Sequence, residues 1–233
     1  MFGMWNIKGS AEPARWVFLH FGMNVKEWNP ANLKEFEDMK KSLNLPHLTL
    51  PFVKDDDFIL TETSAIGPYL AQRAGKPEFL GRDLKEKARI LELDGIMHEI
   101  RLACVQITKL PKDADHRKAI EDLFAPDSPI TLKIQYLSIL LGQKEYFFDH
   151  LTWADYLMQF TARFCGAMTY SLLGRSPFAE YPNIVALMSR VTALKGIKER
   201  LDYAQVLPYL PQEGIPFKFM TFGELIQAGL NPI

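Results

Sequence analysis

Residues 48–66 read Leu48-Thr49-Leu50-Pro51-Phe52-Val53, then the charged turn Lys54-Asp55-Asp56-Asp57, then Phe58-Ile59-Leu60-Thr61 and Glu62-Thr63-Ser64-Ala65-Ile66. Two short apolar runs joined by a tight polar connection predict a β-hairpin. Pro51 has no N–H to give to a sheet ladder, so it begins its strand or lies at an edge, and an X-Pro bond at such a point is a candidate for the cis isomer. The hairpin runs into a helix predicted over Thr63 to Ala74, whose start is rich in hydroxyls and acceptors (Thr61, Glu62, Thr63, Ser64). Such a helix end presents free backbone N–H groups where a carboxylate docks.

Upstream, Met1 to Ile7 is a short apolar run that reads as a buried strand, broken by Gly9-Ser10. A helix is predicted over Ala11 to Phe21, with Pro13 in its first turn and Gly22 at its exit. Val25 to Trp28 alternates as a second strand, and Asn32 to Leu43 carries Leu33, Phe36, Met39 and Leu43 at the spacing of an amphipathic helix. The first eighty residues therefore read βαβα, then hairpin, then helix.

Downstream of Asp83 almost everything falls at helical spacing, which argues for an α/β domain followed by an all-α one. Leu84 to Leu110 places Ile90, Leu93, Met97, Ile100 and Cys104 on one stripe, and Pro111 ends it. A second helix follows Pro129. Thr152-x-x-Asp155 has the spacing of a reciprocal capping box at the head of an apolar helix running to about Leu173. Pro182 starts a helix to about Ala193, Gly196 allows a bend, and Ile197 to Tyr203 makes the last short helix before a Pro-rich tail with a turn at Phe222 to Ala228. The expected organisation is 1–80, 84–205 and a tail over 206–233.

At 233 residues the chain has room for one to two domains. It is 48% apolar and 24% charged, which excludes disorder as the main state. Lys and Arg total 27 against 28 for Asp and Glu, so no basic field exists for nucleic acid or an anionic membrane. No uncharged stretch approaches the roughly 20 residues of a membrane span, and the N-terminus does not read as a secretory signal. Cys104 and Cys165 lack CxxC spacing, which fits a reducing, cytoplasmic setting. The GxGxxG, P-loop, GxSxG and HExxH motifs are missing, and the five histidines have no ligand spacing, so no metal is expected.

The order of elements, together with Gly3-x-Trp5-Asn6-Ile7-x-Gly9, Arg15, Leu48-x-Leu50-Pro51 and Thr61-Glu62-Thr63-Ser64-Ala65-Ile66, resembles the glutathione-binding domain of cytosolic glutathione transferases, nearest to the mu and sigma classes. Thr152-x-x-Asp155 and Phe178 to Tyr203 extend the resemblance to about residue 205. It implies a thioredoxin-like α/β N-terminal domain, an all-helical C-terminal domain, glutathione as substrate or ligand, and a homodimer. On the same resemblance, Leu50 pairs its backbone with the cysteinyl part of glutathione, by strand addition. Pro51 is then the cis proline, and Glu62-Thr63 hold the γ-glutamyl group. Trp5 and Lys40 contact the glycine end, with Phe36 standing where a tryptophan is common, and Glu99 reaches the γ-glutamyl amine of the neighbouring subunit. Arg101, Gln106 and residues 206–222 are expected to wall the acceptor.

One departure bears on the chemistry. The resemblance implies a tyrosine hydroxyl on the first strand that stabilises the glutathione thiolate, and the residue at that place is Met4, whose thioether donates nothing. Ser10 is the remaining local hydroxyl. It reads either as the cap of the helix over 11–21 or as a donor to the thiolate at a helix N-terminus. Two functions follow. One is a transferase conjugating glutathione to small hydrophobic electrophiles, weakened by Met4. The other is a non-catalytic binding or structural subunit that uses the same fold, with the tail docking on a protein partner.

Overall fold

The computed structural model describes residues 1–203, so the expectations for the tail, including the turn at 222–228, lie outside the described residues. A mixed four-stranded sheet has the order β2-β1-β3-β4, with β1 Phe2–Gly3, β2 Glu27–Trp28, β3 Phe52–Asp55 and β4 Phe58–Thr61. β1 runs parallel to β2 and antiparallel to β3, and β3–β4 is the expected hairpin, turning at Asp56. α1 (Glu12–His20), α2 (Leu33–Ser42) and α3 (Thr63–Arg73) complete the thioredoxin-like arrangement. Gly3 is required where it stands, because a Cβ there would lie 2.3 Å from the Phe52 ring.

Several strands are shorter than the apolar runs suggested. The chain leaves β1 after Gly3 because the carbonyls of Trp5, Ile7 and Lys8 accept from the buried Arg15 guanidinium instead of a neighbouring strand. Residues 48–51 likewise bend before β3, with Leu50–Pro51 as a cis peptide bond. Asn32 caps α2, its side chain accepting from the Glu35 N–H at 3.0 Å. Leu33 is 65% exposed, so the expected stripe narrows to Phe36, Met39 and Leu43, which pack with Leu48 and Phe52.

The capping reading of Ser10 is corrected. The residue before α1 is Ala11, in helical conformation, and no side chain caps the helix. Glu12, Pro13 and Arg15 are buried in this first turn, so the helix start is held by ion pairing rather than by a hydroxyl.

A 3-10 turn at Pro77–Leu80 leads into α4 (Leu84–Thr108), capped by Asp83 through the N–H groups of Lys85 and Glu86. Then follow α5 (His116–Leu123), α6 (Pro129–Leu141), α7 (Trp153–Leu173), α8 (Pro182–Thr192) and α9 (Ile197–Tyr203). α7 is the axis of the helical part, buried from Trp153 to Thr169. Its head carries the expected capping box, with the Asp155 carboxylate accepting from the N–H of Thr152 at 2.7 Å and of Phe147 at 2.9 Å. α3 meets α7 where Gly67 lies under the Trp153 ring, with room for no Cβ. Glu86, Asp149 and His150 bring potential ligand atoms within 4.8 Å of one another, and Arg82 already holds both Asp149 oxygens at 2.8 Å. Among the described residues, no helix is long and apolar enough to cross a membrane.

Candidate functional site

Everything at the site is referred to the loop between β1 and α1. Arg15 holds it from below and pairs with Glu12 at 3.0 Å and Glu27 at 2.8 Å. Glu12 is in turn gripped by Arg200 of α9 at 2.6 Å, so both ends of the described chain pin this loop. Lys8 is drawn into the same cluster, where burial lowers its pKa to about 8 against the opposing pull of Glu12. Nothing in the sequence marked Lys8, because its burial follows from the inward turn of the loop.

Met4 lies beneath this loop, 4% exposed, and a Cβ on Gly9 would be 2.6 Å from its terminal methyl. Its side chain fills core volume and offers no donor. Ser10 is exposed above it, and among the described residues its hydroxyl makes no hydrogen bond. Its carbonyl accepts from the Thr63 hydroxyl at 3.0 Å, which ties the loop to the start of α3.

Ser10, Leu50, Pro51, Glu62 and Thr63 line one wall of a single cleft of about 180 Å³, and His98, Arg101, Leu157 and Phe160 line the other. Five residues from three separate stretches of sequence thus converge. Among the described residues, no backbone partner meets the N–H or C=O of Leu50, which leaves a short edge open to an extended peptide. Glu62 has φ 72°, a left-handed conformation that a non-glycine residue adopts at a cost of about 1–3 kcal/mol, and one found at ligand clamps. Glu62 is the residue before α3, where its carbonyl accepts from the N–H groups of Ala65 and Ile66 and its side chain makes no capping bond.

A second, mainly apolar hollow of about 230 Å³ adjoins the first and is lined by Gly9, Leu102, Val105 and Phe164. Four residues belong to both hollows: Ser10, His98, Arg101 and Phe160. Arg101 is 12% exposed, donates to the Thr161 hydroxyl at 2.6 Å, and has its guanidinium 5.6 Å from the Phe160 ring centre. Burial lowers its pKa, opposed by Asp94 at 3.9 Å, and a guanidinium stays cationic under such a shift. His98, one of the five histidines without ligand spacing, makes with Arg101, Leu102 and Val105 an i, i+3, i+4, i+7 set on one face of α4. That spacing was the available signal, hidden by the mixed polarity of the face.

The other expected residues lie outside these hollows. Trp5 packs edge to face on Phe36 at 5.8 Å, and Lys40 lies 5.5 Å from the same ring while pairing with Glu37 at 3.2 Å. Trp5, Phe36 and Leu50 share one apolar cluster, so this stack abuts the cleft behind Leu50. Glu99 is on the outer face of α4, paired with Lys133 of α6 at 3.2 Å. Gln106 is exposed and lines neither hollow. The 206–222 wall lies outside the described residues.

No protein-family model matches the chain. A Schistosoma mansoni protein described as a glutathione S-transferase class-mu 26 kDa isozyme is 27% identical over 221 residues, 91% of this chain and 92% of its own length. A Schistosoma mansoni sequence of the same description is 31% identical over 159 residues, 66% of this chain and 71% of its own. Among solved structures, the glutathione S-transferase Blo t 8 superimposes with a TM-score of 0.78 at 20% identity, over 93% of this chain and 98% of that one, which shows the shared fold.

Proposed function

The chain belongs to the glutathione S-transferase family, and from that membership we propose that it binds glutathione in the Leu50–Glu62 cleft and transfers the sulfur to small hydrophobic electrophiles held in the adjoining hollow. The observation that carries this reading is that the two hollows share Ser10, His98, Arg101 and Phe160, so a thiol in one meets an acceptor in the other. In this reading the γ-glutamyl carboxylate docks on the free N–H groups at the start of α3, beside Glu62 and Thr63. The cysteinyl amide pairs with Leu50, and the glycine carboxylate turns toward Trp5 and Lys40. Residues 1–80 are the glutathione-binding domain and 84–205 the helical one. Two buried free thiols fit a reducing, cytoplasmic setting. No metal enters this chemistry, and a protein partner for the tail belongs to the alternative below.

A homodimer is part of the proposal. Leu84, Ala88, Leu91, Gly95, His98 and Leu102 follow one another at alternating four- and three-residue spacings along α4, and all are exposed. Leu84 and Leu91 are 84% and 69% exposed. Such a stripe suits a facing helix, and in the dimer Glu99 would exchange Lys133 for the neighbour's ligand.

A second reading rests on Met4. With that side chain buried and unable to donate, the fold serves as a glutathione-binding or structural subunit without turnover. Calorimetric titration with glutathione, combined with the ultraviolet thiolate absorbance of the bound thiol across pH, separates the two. Binding with a thiol pKa well below that of free glutathione supports the transferase. Binding with an unshifted thiol supports the silent binder, and no binding overturns the glutathione site.

A further inference from the structure

We propose that Arg101 takes over thiolate stabilisation in this chain, from the helical side of the cleft and in place of a hydroxyl on β1. The inference rests on the glutathione site proposed above and deepens it.

The argument is one of position and charge. A nucleophilic thiol requires a donor or a cation where the two hollows meet. Four residues line both, and each can be weighed. Phe160 offers no donor, Ser10 offers one neutral hydroxyl, and His98 is exposed on α4. Arg101 is the permanent cation of the four, largely out of solvent, in a mainly apolar wall where a charge acts over a longer range than in water.

The guanidinium is also held in place. The Thr161 hydroxyl donates to the Leu157 carbonyl at 2.7 Å, which fixes its lone pairs to accept from Arg101. That occupies one of the five N–H donors. Asp94 approaches only to 3.9 Å, and its nearer oxygen accepts no hydrogen bond, so it offsets the charge without consuming a donor. Such a preoriented cation stabilises charge without reorganising at the moment of reaction. In the step itself the glutathione S–H bond breaks, the proton passes to water at the open side of the cleft, and sulfur keeps the electron pair opposite the guanidinium.

The test uses the full chain with glutathione, reading the bound thiol pKa by thiolate absorbance and, separately, glutathione affinity by calorimetry at acidic pH, where the thiol is protonated. Arg101→Gln should raise the bound thiol pKa by about one unit, a roughly tenfold fall in the thiolate-to-thiol ratio at a given pH, with affinity for the protonated thiol unchanged. Asp94→Asn removes the opposing charge and should move the pKa the other way, which a merely structural role for Arg101 would not produce. Should Arg101→Gln fail to fold, Thr161→Val releases the guanidinium and should give a rise of the same sign. An unmoved thiol pKa in Arg101→Gln, or in Thr161→Val where the former is lost, overturns the proposal, as does a large shift on Ser10→Ala with none at Arg101. If the unsubstituted protein binds no glutathione, the parent reading fails and this one fails with it.

Discussion

If Glu62 holds the γ-glutamyl group as proposed, stability and function conflict in this one residue. Its φ of 72° is strained for any side chain, whereas glycine adopts it freely. Glu62→Gly should therefore stabilise the free protein by about 1 kcal/mol, after the greater chain entropy of glycine is subtracted, while weakening glutathione binding. Thermal unfolding with and without glutathione checks both halves, and a lower midpoint for the free variant would contradict the strain argument. Lys8 makes a second prediction. Its folded pKa of about 8 lies below its ordinary 10.5, so between those values the unfolded chain binds more protons. Its contribution to stability therefore rises with pH across that window and is unfavourable below it. Lys8→Met should flatten the difference in urea midpoint between pH 8 and pH 10.5, and an unchanged slope would sink the assignment.

At the scale of elements, α7 depends on the cap at its head. The buried Asp155 carboxylate accepts from Phe147 N–H, Thr152 N–H and the Thr152 hydroxyl, and burial still pushes its pKa up to about 6. Asp155→Asn keeps the shape but turns an NH2 group toward one of these donors, which should cost about 1–3 kcal/mol as a lower urea midpoint at neutral pH. The capping box was legible in Thr152-x-x-Asp155, because both partners lie within one turn. Helix α5 was not legible. It has eight residues with only His116 and Ile120 buried, and it is supported by packing on α4 and α7 rather than by its own pattern.

At the scale of the whole molecule, the site lies between the sheet and the helical bundle, and the parts are locked together where it forms. Arg200 reaches Glu12 across the length of the chain, Gly67 lies under Trp153, and Phe79 packs on Tyr156 with ring centres 4.9 Å apart. The exposed stripe on α4 runs from Leu84 and Leu91, which line neither hollow, to His98 and Leu102, which border the site. Leu91→Glu should convert a dimer to a monomer in sedimentation equilibrium with the fold intact, whereas a wild-type monomer would remove both the interface and the role of Glu99.

By itself the sequence determined the order of elements in the first eighty residues, the hairpin after Pro51 and the capped central helix. Each depends on interactions within a few positions: a missing N–H, a polar turn, a cap, an apolar period. The tertiary structure alone decided that Met4 points into the core, that Ser10 caps nothing, that Lys8 is buried, and that His98, Arg101 and Phe160 share two hollows. Those outcomes depend on which faces of α4 and α7 meet the β1–α1 loop. Residues about ninety positions apart in the chain meet there through packing between elements, which no local spacing encodes.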